Sequence, residues 1–336
     1  HALAGDDILM AGRLIEKGAL KAFQKSDLKF ILNWVARLPE SALRNHPWLF
    51  IYHSWALLLT GQVKAVSPRL ENTDWLLDSY SNNDAKKQEM VGYIAGMKAI
   101  MALWQRDFVN GLDFANQALE YLSNDDWIRG YCAIVLASSH WGSGNLSTSK
   151  EVYKESHLVG KASGNMMLAV SGGCNLAYAI EQEGHLQEAL ELFQDLFVLA
   201  EQNGKVLPVA GYIHVEIARL FYELDKLDLA NQHLIDGIQL CQQLADGRAE
   251  TIGHGLLTRV QLAQGNIAEA VNSIQNAKDA NPSPDTPFDF RGGEYPEVRL
   301  WIKENNFKNL SEWLGENEVK LDGTSFYKKL SFSMYA

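Results

Sequence analysis

Between Leu186 and Ala200 the apolar residues Leu186, Ala189, Leu190, Phe193, Leu196, Phe197 and Ala200 fall three and four positions apart, the stripe of an amphipathic helix. The stripe returns about every forty residues behind one signature: a turn residue, an apolar residue two positions on, and a small residue five positions on. That signature stands at Gly184/Leu186/Ala189 and Gly265/Ile267/Ala270. It recurs at Asp225/Leu227/Ala230, Gly144/Leu146/Ser149 and Asn305/Phe307/Leu310, with weaker copies at Gly61/Val63/Val66 and Arg106/Phe108/Gly111. The turn marks thus fall at 61, 106, 144, 184, 225, 265 and 305. A fixed period of this length predicts a stack of helical hairpins, each burying its apolar face on its neighbours.

Forty residues less two short turns leave roughly 17 per helix, about 26 Å of rise. In each repeat a first helix (A) ends at the mark and a second (B) begins just after it. For the mark at 184 this predicts helix A over about 166–183 and helix B over about 186–203. Glycine at the mark supplies the left-handed conformation that ends helix A, and the small residue at the fifth position lets the two helices approach. The N-terminal 1–46 is less regular: Gly5-Asp6 and Ser26-Asp27 read as turns only about twenty apart, and Leu38-Pro39-Glu40 breaks the chain before Pro47 opens a helix. Residues 47–280 form the regular repeats. A Pro-rich loop at 281–293, with three prolines in six residues, cannot continue a helix. Residues 294–336 form a last repeat and a helix cut short. The expected fold is all-α, a superhelical solenoid in one domain.

The chain has 336 residues, 47% of them hydrophobic, more than one globular core usually organises, and a solenoid removes that difficulty. A net charge of −11 repels phosphate backbones, so direct nucleic-acid binding by this segment is not expected. Cys132, Cys174 and Cys241 are odd in number and widely spaced, which reads as reduced thiols in a cytoplasmic protein. No apolar run approaches the ~20 residues of a membrane span, and no signal peptide is evident. The first residue is His1, so the segment reads as a piece of a longer polypeptide.

Motifs of catalysis are missing: there is no His-Glu-x-x-His, no Gly-x-Ser-x-Gly and no phosphate loop. The expectation is a binding module and not an enzyme, with no catalytic residues and no metal. Gly142-Ser-Gly144 and Ser171-Gly-Gly173 read as turn or close-packing glycines. His214 and His254 share one place in successive A helices, but no third ligand recurs with them, so packing is the better reading.

The hairpins resemble tetratricopeptide-type stacks, in which helix A lines a concave groove. Positions six and thirteen before the mark then share a face, since seven residues are close to two turns. Six before it stand Trp55, Ile100, Ser138, Tyr178, Arg219, Arg259 and Arg299; thirteen before it stand Trp48, Tyr93, Tyr131, Ser171, Tyr212, Ile252 and Gly292. An aromatic row in the N-terminal half thus meets an arginine ladder in the C-terminal half, with Tyr222 beside it. The candidate ligand-binding residues are Tyr178, Tyr212, Arg219, Tyr222, Arg259 and Arg299, a combination suited to a polar, ring-bearing or anionic small molecule. The competing reading makes each tyrosine core and pairs each arginine with an acid such as Glu181, Glu216 or Glu223.

Particular segments resemble the MalT-like proteins, large ATP-dependent LuxR-type transcriptional regulators. They are His1-Ala-Leu-Ala-Gly-Asp6, Trp34-Val-Ala-Arg-Leu-Pro39, Tyr52-His-Ser-Trp-Ala-Leu-Leu-Leu-Thr-Gly-Gln62, Asn175-Leu-Ala-Tyr-Ala179, Ala218-Arg-Leu-Phe-Tyr-Glu223 and Thr258-Arg-Val-Gln-Leu-Ala-Gln-Gly265. The resemblance implies a sensor domain that binds a small-molecule inducer and takes part in self-association of the parent regulator. It also implies that ATP and DNA belong to flanking domains, leaving no cofactor here. Glu216, Lys226 and Asn305-Asn306 depart from the family pattern. The alternative, from another class, is a scaffold whose groove takes a peptide or protein partner; a groove narrow enough to bury most of a ligand discriminates the two.

Overall fold

The computed structural model describes residues 8–25, 27–78, 84–105, 107–124, 126–281 and 296–316. The turn residues Gly5, Asp6, Ser26 and Arg106, the Pro-rich loop from 282 on, Gly292 and the C-terminal stretch after 316 lie outside them. The marked turns among the described residues close their helices in one way. The marked residue has positive φ: 81° at Gly61, 83° at Gly144, 88° at Gly184, 55° at Asp225, 83° at Gly265 and 55° at Asn305. The next N–H then donates to the carbonyl five residues back. The bonds run from Gln62 to Leu57 (2.9 Å), Asp107 to Ala102 (2.8 Å), Asn145 to His140 (2.9 Å), His185 to Ile180 (3.2 Å), Lys226 to Phe221 (2.8 Å), Asn266 to Gln261 (2.8 Å) and Asn306 to Trp301 (2.8 Å). A left-handed residue followed by this wide loop is the Schellman closure, which satisfies an otherwise orphaned carbonyl. The forty-residue period of the sequence is the period of this cap.

Eighteen helices follow in the described residues. At the N-terminus α1 (Ile8–Gln24), α2 (Leu28–Val35) and the short α3 (Glu40–Arg44) precede α4 (Pro47–Leu59), which Pro47 opens. Next come α5 (Val63–Glu71), with Pro68 inside it, and α6 (Asp74–Asp78). Hairpins then alternate: α7 (Ala85–Trp104) with α8 (Phe108–Tyr121), α9 (Ile128–Gly142) with α10 (Leu146–Ser163), and α11 (Met166–Gln182) with α12 (Leu186–Leu199). They continue as α13 (Ala210–Glu223) with α14 (Leu227–Leu244), α15 (Gly247–Gln264) with α16 (Ile267–Ala280), and α17 (Pro296–Lys303) with α18 (Phe307–Glu316). The A helices α9 and α11 bury residues around most of their circumference, whereas the B helices α12 and α14 bury a single stripe. The A helices therefore form the inner layer and the B helices the outer.

Small residues set the crossings. Ser149, Ala189, Ala230 and Ala270, each five past a mark, are completely buried. Between α10 and α11 a Cβ on Gly160 would lie 2.3 Å from the Ala169 nitrogen, and one on Gly172 would lie 2.7 Å from the His157 nitrogen. Both positions exclude a side chain because backbone meets backbone.

One element differs from expectation. Helix α12 ends at Leu199 and not near 203, because Glu201–Gln202 (β1) pairs antiparallel with Lys205–Val206 (β2). Asn203 and Gly204 form its two-residue turn with φ of 53° and 72°. Asn-Gly is the favoured pair for a turn needing positive φ at both positions, so it outweighs helix propensity here.

The stack also closes on itself. Helix α1 packs on α11, and the Lys29 Nζ of α2 donates to the Gln242 carbonyl of α14 at 3.1 Å. The N-terminal helices thereby contact the later repeats.

Candidate functional site

Inside that turn lies a cavity of about 150 Å³. Its walls come from Leu59 at the end of α4; Ile100, Leu103 and Trp104 of α7; Tyr131, Ile134 and Ser138 of α9; and Met167, Ser171, Cys174 and Asn175 of α11. Tyr212, Val215, Glu216 and Arg219 of α13 and Arg248, Ala249, Ile252 and Leu256 of α15 complete it. Ile100, Ser138 and Arg219 stand six before their marks, and Tyr131, Ser171, Tyr212 and Ile252 thirteen before theirs. These members of the two phases face the cavity because the A helices are the inner layer.

The far walls meet at one point. The Arg248 guanidinium lies over the Trp104 ring, 5.0 Å from its centroid, joining the C-terminal end of α7 to the first turn of α15. Arg248 is held there by its place beside the N-cap of α15. Asp246 caps that helix, its Oδ1 accepting the Ala249 N–H at 3.0 Å, while its Oδ2 accepts the Tyr212 hydroxyl. Burial, then the Asp246 charge, push the Tyr212 hydroxyl well above its ordinary range, so it stays a donor. On the opposite wall Asn175 donates to the Ser171 carbonyl at 2.7 Å, and Ser138 and Tyr153 share a hydrogen bond of 2.9 Å.

Of the six residues expected to bind ligand, Tyr212 and Arg219 line this cavity; Tyr178, Tyr222, Arg259 and Arg299 are not among its lining residues. Arg219 is 5% exposed and grips Glu181 with two N–H groups, one bond being 2.8 Å, and its Nε reaches Glu216 at 3.3 Å. Burial would lower the guanidinium pKa, but the hydrogen bonds and charges of Glu181 and Glu216 outweigh it and hold the group firmly ionised. Arg219 also covers the Tyr178 ring at 4.7 Å, and in the next repeat Arg259 covers Tyr222 at 4.4 Å and meets Glu223 at 3.3 Å. In these two repeats the arginine ladder is thus a pair of guanidinium groups stacked on tyrosines and paired with acids. Arg299 is half-buried on α17, which packs against α15.

His214 and His254 take separate surroundings. The His214 Nδ1 lies 3.1 Å from that of His233, beside the Phe197 ring, while His254 sits 4.0 Å from Glu250. Periodicity overlooked Trp104 and Arg248, which occupy helix ends and owe their place to the closure of the superhelix. The one local signal for Arg248 was the Asp246 cap two residues before it.

Residues 92–331 match the family model described as the MalT-like TPR region. A search of curated proteins finds no significant match. In fold the chain is similar to a Rap protein solved in complex with competence and sporulation factor, with TM-score 0.62 and 12% identity over 91% of this chain and 86% of that one. It is also similar to NprR solved with its cognate peptide NprX (TM-score 0.58, 12% identity, 96% of this chain and 93% of that one). Aspartyl phosphate phosphatase F from Bacillus subtilis gives a TM-score of 0.51 at 12% identity, over 92% and 84%. Identity this low supports a likeness of fold alone. The family model spans more than half of the chain, and the chain belongs to the MalT-like TPR region family.

Proposed function

We propose that this domain senses a small inducer within an ATP-dependent, LuxR-type transcriptional regulator, and that the inducer occupies the cavity between α7, α9, α11, α13 and α15. The observation that carries this reading is the contact that narrows the groove. Trp104 and Arg248 meet across it, leaving a chamber of about 150 Å³ between helices of five successive repeats. An extended peptide needs an open channel, whereas a small molecule needs a chamber that removes most of its surface from water. The domain works by binding and not by catalysis. A ligand touching several repeats at once favours the curvature that puts those walls at contact distance, and its differential affinity for that curvature is the signal. In the parent regulator this shift would favour self-association, with ATP and DNA handled by other domains in the cytoplasm.

A second reading is peptide binding. An open groove of about 680 Å³ beside α1, α4 and α7, lined by Arg13, Lys17, Trp48, Tyr52 and Lys86, favours it. The experiment is a thermal-shift panel of sugars, amino acids, sugar phosphates and aromatic acids against the wild type and Ser171→Phe, which fills the chamber. A compound that stabilises the wild type alone supports the cavity. Stabilisation of both proteins alike would move the site elsewhere.

A further inference from the structure

The cavity has an unmatched polar end. Tyr131 lines it and is only 4% exposed, and among the described residues its hydroxyl has no hydrogen-bond partner. Burial pushes this hydroxyl's pKa up, which keeps its proton available for donation. The buried Arg248 Nε likewise has no partner among the described residues. Its nearest carboxylate, Asp246, is 3.9 Å from Nη2 and already accepts from Tyr212 and the Ala249 N–H. The other cavity arginine, Arg219, is occupied by Glu181 and Glu216. Leaving a buried hydroxyl and a buried guanidinium N–H without acceptors is costly, so each calls for an acceptor. A guanidinium edge offers parallel N–H donors that match the two oxygens of a carboxylate. Ile100, Leu103, Ile134, Ile252 and Leu256 give the chamber an apolar wall, while the one lining carboxylate among the described residues, Glu216, is paired with Arg219. A chamber of this size admits one six-membered ring.

We infer that the cavity takes a small ring-bearing monocarboxylate, its carboxylate held by Arg248 and the Tyr131 hydroxyl and its ring packed on the apolar wall. This inference rests on the cavity being the inducer site and adds the chemical class of the ligand.

The test is calorimetric titration of the chain with benzoate, cyclohexanecarboxylate, benzamide and methyl glucoside. The two carboxylates are expected to bind, with benzamide at least tenfold weaker. Arg248→Met should weaken carboxylate binding by about ten- to a hundredfold, the loss of a charge-assisted hydrogen bond. Tyr131→Phe should weaken it several-fold without lowering Tm, since the hydroxyl has no partner to lose; this second variant keeps the test valid if Arg248→Met folds poorly. Equal binding of benzamide or methyl glucoside, abolished by Ser171→Phe but indifferent to Arg248→Met, would overturn the carboxylate assignment and leave the cavity reading standing. Absence of binding by all four compounds would overturn the carboxylate assignment. Carboxylate binding unaffected by Ser171→Phe would overturn both.

Discussion

At the scale of single residues, Arg219 and Arg259 share a phase in the repeat but not an environment. Glu181, the partner of Arg219, has a side chain 7% exposed, whereas Glu223, the partner of Arg259, is 53% exposed. Removing one member of a buried pair leaves the other charged and desolvated, at a cost of about 3–5 kcal/mol, whereas removing the buried Arg259 leaves behind only the solvated carboxylate of Glu223, which carries little such penalty. Arg219→Met is therefore expected to lower unfolding free energy by several kcal/mol and Arg259→Met by far less, as urea denaturation measures. Equal losses would contradict the distinction. The His214–His233 contact gives a pH dependence. Burial, then the His233 charge, lower the His214 pKa to about 4, and burial lowers that of His233. The unfolded chain binds protons first, so the stability these neutral rings contribute is complete above pH ~6.5 and declines as pH falls towards about 4. His214→Phe should flatten the fall of Tm over that window; an unchanged profile would remove the pair from the account.

At the scale of the helical hairpin, the sequence was most readable where geometry repeats. The glycine at 184 has φ of 88°, a conformation that costs an L-residue about 1 kcal/mol or more. Ala189 beneath it is completely buried at the crossing. Gly184→Ala should cost about 1 kcal/mol and Ala189→Leu about 1–3 kcal/mol by overpacking, both as shifts of the denaturation midpoint. A neutral Ala189→Leu would mean the crossing is looser than described. The pairing of Arg219 with Glu181 was open as an alternative because 38 residues separate positions on neighbouring A helices. The Asn203-Gly204 hairpin was missed although its turn signal was present, because the helical stripe ran up to it. The meeting of Trp104 and Arg248 lies 144 residues apart and follows no period, so only the curvature of the assembled stack reveals it.

At the scale of the whole molecule, the superhelix turns a row of short hairpins into the walls of one chamber. Lys29 reaching Gln242 and Arg248 covering Trp104 join its distant parts. The net charge of −11 belongs to this scale too. The isolated chain is expected to leave duplex DNA unretarded in a gel at physiological salt, because it repels the phosphate backbone. Specific retardation by the chain alone would refute that. The central claim is that the chamber receives a small molecule, and the most direct measurement uses the panel compound with the largest thermal shift. Its affinity is determined calorimetrically for the wild type and for Ile252→Trp, whose indole projects into the chamber, with circular dichroism confirming that both are folded. Loss of binding in the folded variant is the expected result; unchanged affinity would contradict the account.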